Sequence, residues 1–182
     1  DFETIELNYG IDVLKRWNLA TDYNNSSAAL GVCVLSSEWI SEQGQRIPQD
    51  PEISFRDCAE ELKETYGKVD PLWSDRNFIV RGSKKTAVQG GPDVLRAIYG
   101  RNDDDGDLKA SGGDGLYIHV SWDKNGIQKS KSVHQYGSAT QDKNSVHYDD
   151  QVDIYVKEQY KPTYFNKSEL LGNIAKVYNV PN

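Results

Sequence analysis

The chain has 182 residues, 37% hydrophobic and 27% charged, enough for one domain with a real core. Lys and Arg number 21 against 28 Asp and Glu, a formal net charge of −7, and with no basic stripe to neutralise phosphates nucleic acid is not an expected partner. No run approaches the ~18 to 20 apolar residues needed to span a bilayer, so a soluble chain with no membrane association is expected.

The first helical pattern is LNYGIDVLKRWN, in which Leu7, Ile11, Leu14 and Trp17, with Val13 beside them, recur at helical spacing. A polar loop, ATDYNNSS, follows. In AALGVCVLSSEWI the β-branched residues favour a strand and the length favours a helix; length decides for the helix. IPQDPEI is turn-rich, after which Ser54 with Asp57 reads as an N-terminal cap for FRDCAEELKETYG. Phe55, Cys58, Ala59, Leu62 and Tyr66 fall on one face of that helix, and Gly67 stops it.

From Pro71 to Ala110 the pattern is irregular, with short strand-like pieces such as NFIV and a break at Gly90-Gly91-Pro92. LYIHVSW and IQKSKSVHQY then flank Asp123-Lys124-Asn125-Gly126, a hairpin signal because Asn-Gly tolerates the positive φ of a primed turn. VDIYVKEQY reads as helical or extended. Asn166 and Glu169 open a last helix in capping-box fashion, with Leu170, Leu171, Ile174, Val177 and Tyr178 on one side. Helices around an antiparallel hairpin make a single α+β domain over 1–182.

Chemistry-bearing residues are sparse. Cys33 and Cys58 are too few for a disulfide scaffold or a four-thiolate zinc site, and their apolar flanks suit buried free thiols, with pairing as the alternative in an oxidising compartment. In the acidic run Asn102 to Asp107, an EF-hand loop with Gly106 at its sixth position would run from Arg101 to Gly112 and lack both the first aspartate and the closing glutamate, so a solvated turn is expected. Gly90-Gly91 and Gly112-Gly113-Asp114-Gly115 lack the Lys-Ser/Thr continuation of a phosphate cradle and read as turns. His119 and His134 belong to the hairpin, no HExxH occurs, no serine sits in a G-x-S-x-G elbow, and neither cysteine has a histidine in a local signature. His147 and Asp150, after an exposed loop, suggest a hydrogen-bonded latch. The residues taken alone describe an acidic α+β domain without a self-contained active site.

One stretch carries more. GSATQDKNSVHYDDQVDIYVKEQYKP, through Tyr136, Gly137, Ser145, His147, Tyr148, Asp150, Gln151, Tyr155 and Pro162, resembles the C-terminal signature of the penicillin acylase family. VLKRWN with SSAAL, AEELKETYG with VDPLWSDRN, Leu95-Arg96-Ala97, and Gly113-Asp114 before LYIHVSWDKNG are similar to that family in the same order, and the texture is nearest the N-acyl-homoserine lactone acylases. Val146 stands where the family usually has proline.

The resemblance implies the C-terminal part of the large chain of an N-terminal-nucleophile hydrolase with αββα layers, an acylase that cleaves an acyl group from an amine. Its nucleophile is a serine at the start of the large chain with its own α-amine as base, and Asp1 is not that serine. The histidine, backbone and asparagine positions of the oxyanion site lie upstream of the matched part. No catalytic residue, metal or organic cofactor is therefore expected here; Tyr136, Gly137, His147, Tyr148, Asp150 and Gln151 form a structural signature. The implied partners are the remaining chains of the acylase and, through the complete enzyme, a small-molecule amide; the implied location is periplasmic or secreted. A stand-alone, non-catalytic binding module derived from the acylase fold is the alternative.

Overall fold

The computed structural model describes residues 2–37, 39–42, 45–48, 50–92, 94–164 and 166–174. The chain is described as two compact units, Asp1–Asp114 and Gly115–Asn182. Both units mix helix and sheet, and the fold is α+β.

The first unit opens with α1 (Phe2–Arg16) and α2 (Ala28–Ser37), the latter followed by a short hairpin of β1 (Trp39–Glu42) and β2 (Gln45–Pro48), and then by α3 (Pro51–Tyr66). Burial on α1 centres on Val13, while Ile11 is 41% exposed. The stripe is rotated from the expected one because Gly10 lets the Phe55 ring come against the α1 backbone: a Cβ there would lie 2.9 Å from that ring. Trp17 likewise covers Gly31 of α2. Val13, Ala28, Ala29, Leu30, Cys58, Ala59 and Leu62 form the helical core, and each fully buried large aliphatic side chain such as Leu30 contributes about 1.5–3 kcal/mol.

The cap of α3 differs from the sequence reading. Asp50 is the N-cap, its carboxylate accepting from the Glu52 N–H at 2.9 Å, with Pro51 in the first turn; Ser54 is buried inside the helix. Aspartate followed by proline satisfies both needs of a helix start, an acceptor for an orphan N–H and a residue that lacks one. Gly67, left-handed at φ 72°, closes α3 as expected.

After the short α4 (Trp73–Arg76), the segment that looked irregular builds a four-stranded sheet of β3 (Asn77–Arg81), β4 (Lys84–Ala87), β5 (Ile98–Asn102) and β6 (Leu108–Gly113) in the order β4-β3-β6-β5. The β3/β6 pair is parallel and the others antiparallel. Only Asn77 and Ile79 of β3, Ile98 of β5 and Ala110 of β6 are buried, so these strands carry little of the alternation by which strands are read from sequence.

In the second unit β7 (Leu116–Asp123) and β8 (Gly126–His134) form the expected hairpin, with Asp123 opposite Gly126 and a bulge at Ser121/Trp122. Gly126 takes φ 115°, a conformation that glycine alone adopts without steric cost. After α5 (Val152–Val156), β9 (Lys161–Thr163) adds to β8 as a third strand. Val133 of β8 and Val152, Tyr155 and Val156 of α5 are the buried apolar residues, and Tyr117 stacks at an angle on Tyr155, 6.1 Å between ring centres. The final element, α6 (Lys167–Leu171), has the expected box: the Asn166 N–H donates to the Glu169 carboxylate at 3.3 Å. Its apolar side is not buried, with Leu171 64% exposed; Val177 and Tyr178 lie outside the described residues.

Candidate functional site

The loop from Tyr136 to Gln151 returns on itself and brings the signature residues together. Gln151 is its anchor. Its backbone N–H donates to the Tyr136 carbonyl at 2.8 Å, and its side-chain oxygen accepts from the His134 N–H at 3.0 Å, where β8 ends. The side chain is 1% exposed, and burial of an amide is affordable only with such bonds in place.

Gly137 packs under the return of the loop. A Cβ there would sit 2.2 Å from the His147 carbonyl oxygen and 2.8 Å from an Asp150 carboxylate oxygen. The His147 carbonyl itself accepts from the Ala139 N–H at 3.1 Å, so glycine is required by close approach. Ser145 accepts the His147 N–H on its hydroxyl at 3.1 Å and the Tyr148 N–H on its carbonyl at 3.0 Å. Val146 is 80% exposed.

His147 Nδ1 lies 2.9 Å from Asp150 Oδ2. The pair is on the surface, the imidazole 61% and the carboxylate 30% exposed. The ring's Nδ1 is turned to Asp150, and the Ser145 hydroxyl accepts the histidine's backbone N–H, so the histidine is tied to the loop at both its ring and its backbone. What this arrangement does chemically is fasten a loop across a glycine.

Two further polar clusters belong to the first unit. In the acidic turn Asp103 accepts the N–H groups of Asp105 and Asp107, both at 3.0 Å, and the Lys85 ammonium reaches Asp103, Asp105 and Asp107 at 3.5, 3.7 and 2.7 Å. A lysine on β4 thus supplies the cation this turn needs. Desolvation pushes the Asp103 carboxyl up, but the Asp107 and Asp105 N–H groups and Lys85 outweigh it and the net shift is downward. The hydrogen bond to Asp107 raises Lys85 in turn. Tyr66 donates to Asp107 at 2.8 Å, and burial together with that bond pushes its hydroxyl well above the usual phenol range. Among the described residues no group of three or more His, Cys, Asp or Glu is placed to hold a metal ion.

The second cluster was not legible in the sequence. Trp73 donates its indole N–H to the Gly90 carbonyl at 2.9 Å, Asn77 donates to the Val88 carbonyl at 2.8 Å, and Arg76, 3% exposed, donates to Glu61 at 2.7 Å. Polar residues in a tryptophan-containing turn gave no period to follow; their partners are 11 to 17 residues away.

The expectation of free thiols is overturned: Cys33 of α2 and Cys58 of α3 form a disulfide, Cα atoms 5.9 Å apart. Apolar flanks reflect packing at the α2/α3 interface, and the same packing brings the two sulfurs together.

The chain matches no protein-family model and no curated protein. Among the described residues no helix is long and apolar enough to cross a membrane.

Proposed function

We propose that this chain is the C-terminal portion of the large chain of a penicillin-acylase-like amidohydrolase, an αββα N-terminal-nucleophile enzyme. The observation that carries this reading is the meeting of Tyr136, Gly137, His147, Asp150 and Gln151 in one hydrogen-bonded loop, at the positions where the sequence resembles the family's signature. These residues hold a scaffold. The parent reaction is amide hydrolysis: a serine hydroxyl attacks the carbonyl carbon, its proton passing to an amine base, and the tetrahedral oxyanion is held by preorganised donors before the product amine leaves. Water then releases the acyl group.

Nucleophile, base and donors belong to the remaining chains, which are the partners of this one, and the chemistry uses no cofactor. The Cys33–Cys58 bond supports a periplasmic or secreted location, because disulfides persist in oxidising compartments. Quorum quenching or antibiotic metabolism is the role that such an enzyme offers. Mass spectrometry of the native product tests the proposal: the expected species is a large chain that begins with serine and contains this sequence. A mature product that begins at Asp1 directly after a signal peptide would replace it with the non-catalytic binding module.

A further inference from the structure

The three-stranded sheet of the second unit bears a cleft that the signature loop does not use. Its volume is about 470 Å³, within the ~300–1,000 Å³ range of small-molecule sites. Lys129 and Lys131 of β8 and His119 of β7 line it, in register, since His119 pairs with Lys131 and Ser121 with Lys129. In a chain whose net charge is −7, two ammonium groups converge on one cavity. Glu169, the carboxylate in the lining, is engaged by the Asn166 N–H at the start of α6.

The opposite wall is aromatic. Tyr160 contributes a ring that lies 4.6 Å from the Lys131 ammonium.

We propose that this cleft binds a small organic carboxylate with an apolar or aromatic body. The carboxylate pairs with Lys129 and Lys131, and the body packs along Tyr160. A phosphate ion matches the charges and offers nothing to the ring; an uncharged aromatic matches the ring and leaves the lysines unpaired. The inference concerns the second unit's own residues and does not rest on the acylase reading.

Titration of the full 182-residue chain with benzoate, inorganic phosphate and benzyl alcohol, followed by calorimetry and by NMR shifts of the β8 amides, tests it. Benzoate is expected to bind saturably and about tenfold or more tightly than either of the others, a difference of ~1.4 kcal/mol. Lys129→Gln, a change at an exposed side chain, should weaken benzoate severalfold with an unchanged melting temperature, and Lys131→Arg should retain binding. Absence of saturable benzoate binding, equal binding of benzyl alcohol or phosphate, or indifference to Lys129→Gln in the folded chain would each overturn the proposal.

Discussion

Gln151 and His147 illustrate how burial ranks two residues of one motif. Both take part in the loop, but Gln151 is 1% exposed and caps the end of β8, whereas the His147 ring is 61% exposed. Removal of a buried partner strands the group it served, here the His134 N–H, at about 1–3 kcal/mol, while a surface pair contributes about 0–1 kcal/mol. Gln151→Ala should therefore lower the urea midpoint clearly and His147→Ala only slightly; a larger effect at His147 would show that the exposed pair, and not the amide, holds the loop. Gly137→Ala is predicted to be worse than His147→Ala, by ~1–3 kcal/mol, because its methyl would meet the His147 carbonyl and backbone gives way less readily than a side chain. Chemical denaturation of the two variants decides the order.

At the scale of elements, α2 and α3 are joined by a bond that closes a 25-residue separation. On the chain-entropy account such a loop constrains the unfolded state by about 3–4 kcal/mol, so Cys33→Ser with Cys58→Ser, or reductant on the parent, should lower the denaturation midpoint of the first unit accordingly. An unchanged midpoint in reductant would show that the thiols are not paired in solution. The Lys85 turn gives a pH signature. Asp103 has a folded pKa below its ordinary value, so its contribution is present above about pH 4 and is lost as pH falls through the folded value. Lys85 is raised, so its contribution is full below about pH 10 and is lost as pH rises through the folded value. Between roughly pH 5 and 9 both groups are ionised, and Lys85→Met should destabilise by a constant amount there. The difference between Lys85→Met and parent midpoints should shrink in acid, as the carboxylate it lost protonates in both; a difference that persists unaltered at pH 2 would mean that the lysine acts through its methylene stem.

For the whole molecule the prediction is inactivity. On the reading proposed above the nucleophile and its base belong to other chains, while here the Ser145 hydroxyl accepts the His147 backbone N–H and the His147 ring is turned to Asp150. The purified 182-residue chain should leave acyl-homoserine lactones and phenylacetylated amines intact. Hydrolysis above background that a point change within this chain abolishes would require a second active site and would sink the scaffold reading. The second unit also leaves Leu116, Ile118 and Trp122 of β7 46%, 60% and 72% exposed, an apolar run of the kind that marks an interaction surface.

What the sequence by itself determined is local. Helical spacing placed α1 and α3, length decided for a helix at α2, Gly67 ended α3, Asp123 to Gly126 placed the β7/β8 turn, and Asn166 with Glu169 placed the start of α6, because each depends on residues near one another in the chain. The Asp50-Pro51 cap was equally local and could have been read from its two residue types. The signature residues could be picked out, and their meeting follows from a loop only 16 residues long, Tyr136 to Gln151. Tertiary structure alone decided the rest. The β4-β3-β6-β5 sheet joins strands with few buried side chains, and its parallel β3/β6 pairing links Asn77 to Leu108 across the intervening strands. The disulfide requires α2 against α3, and the Lys85 ion pairs require β4 beside the acidic turn. Such pairings are selected by packing between distant segments, a choice that leaves no period in the chain.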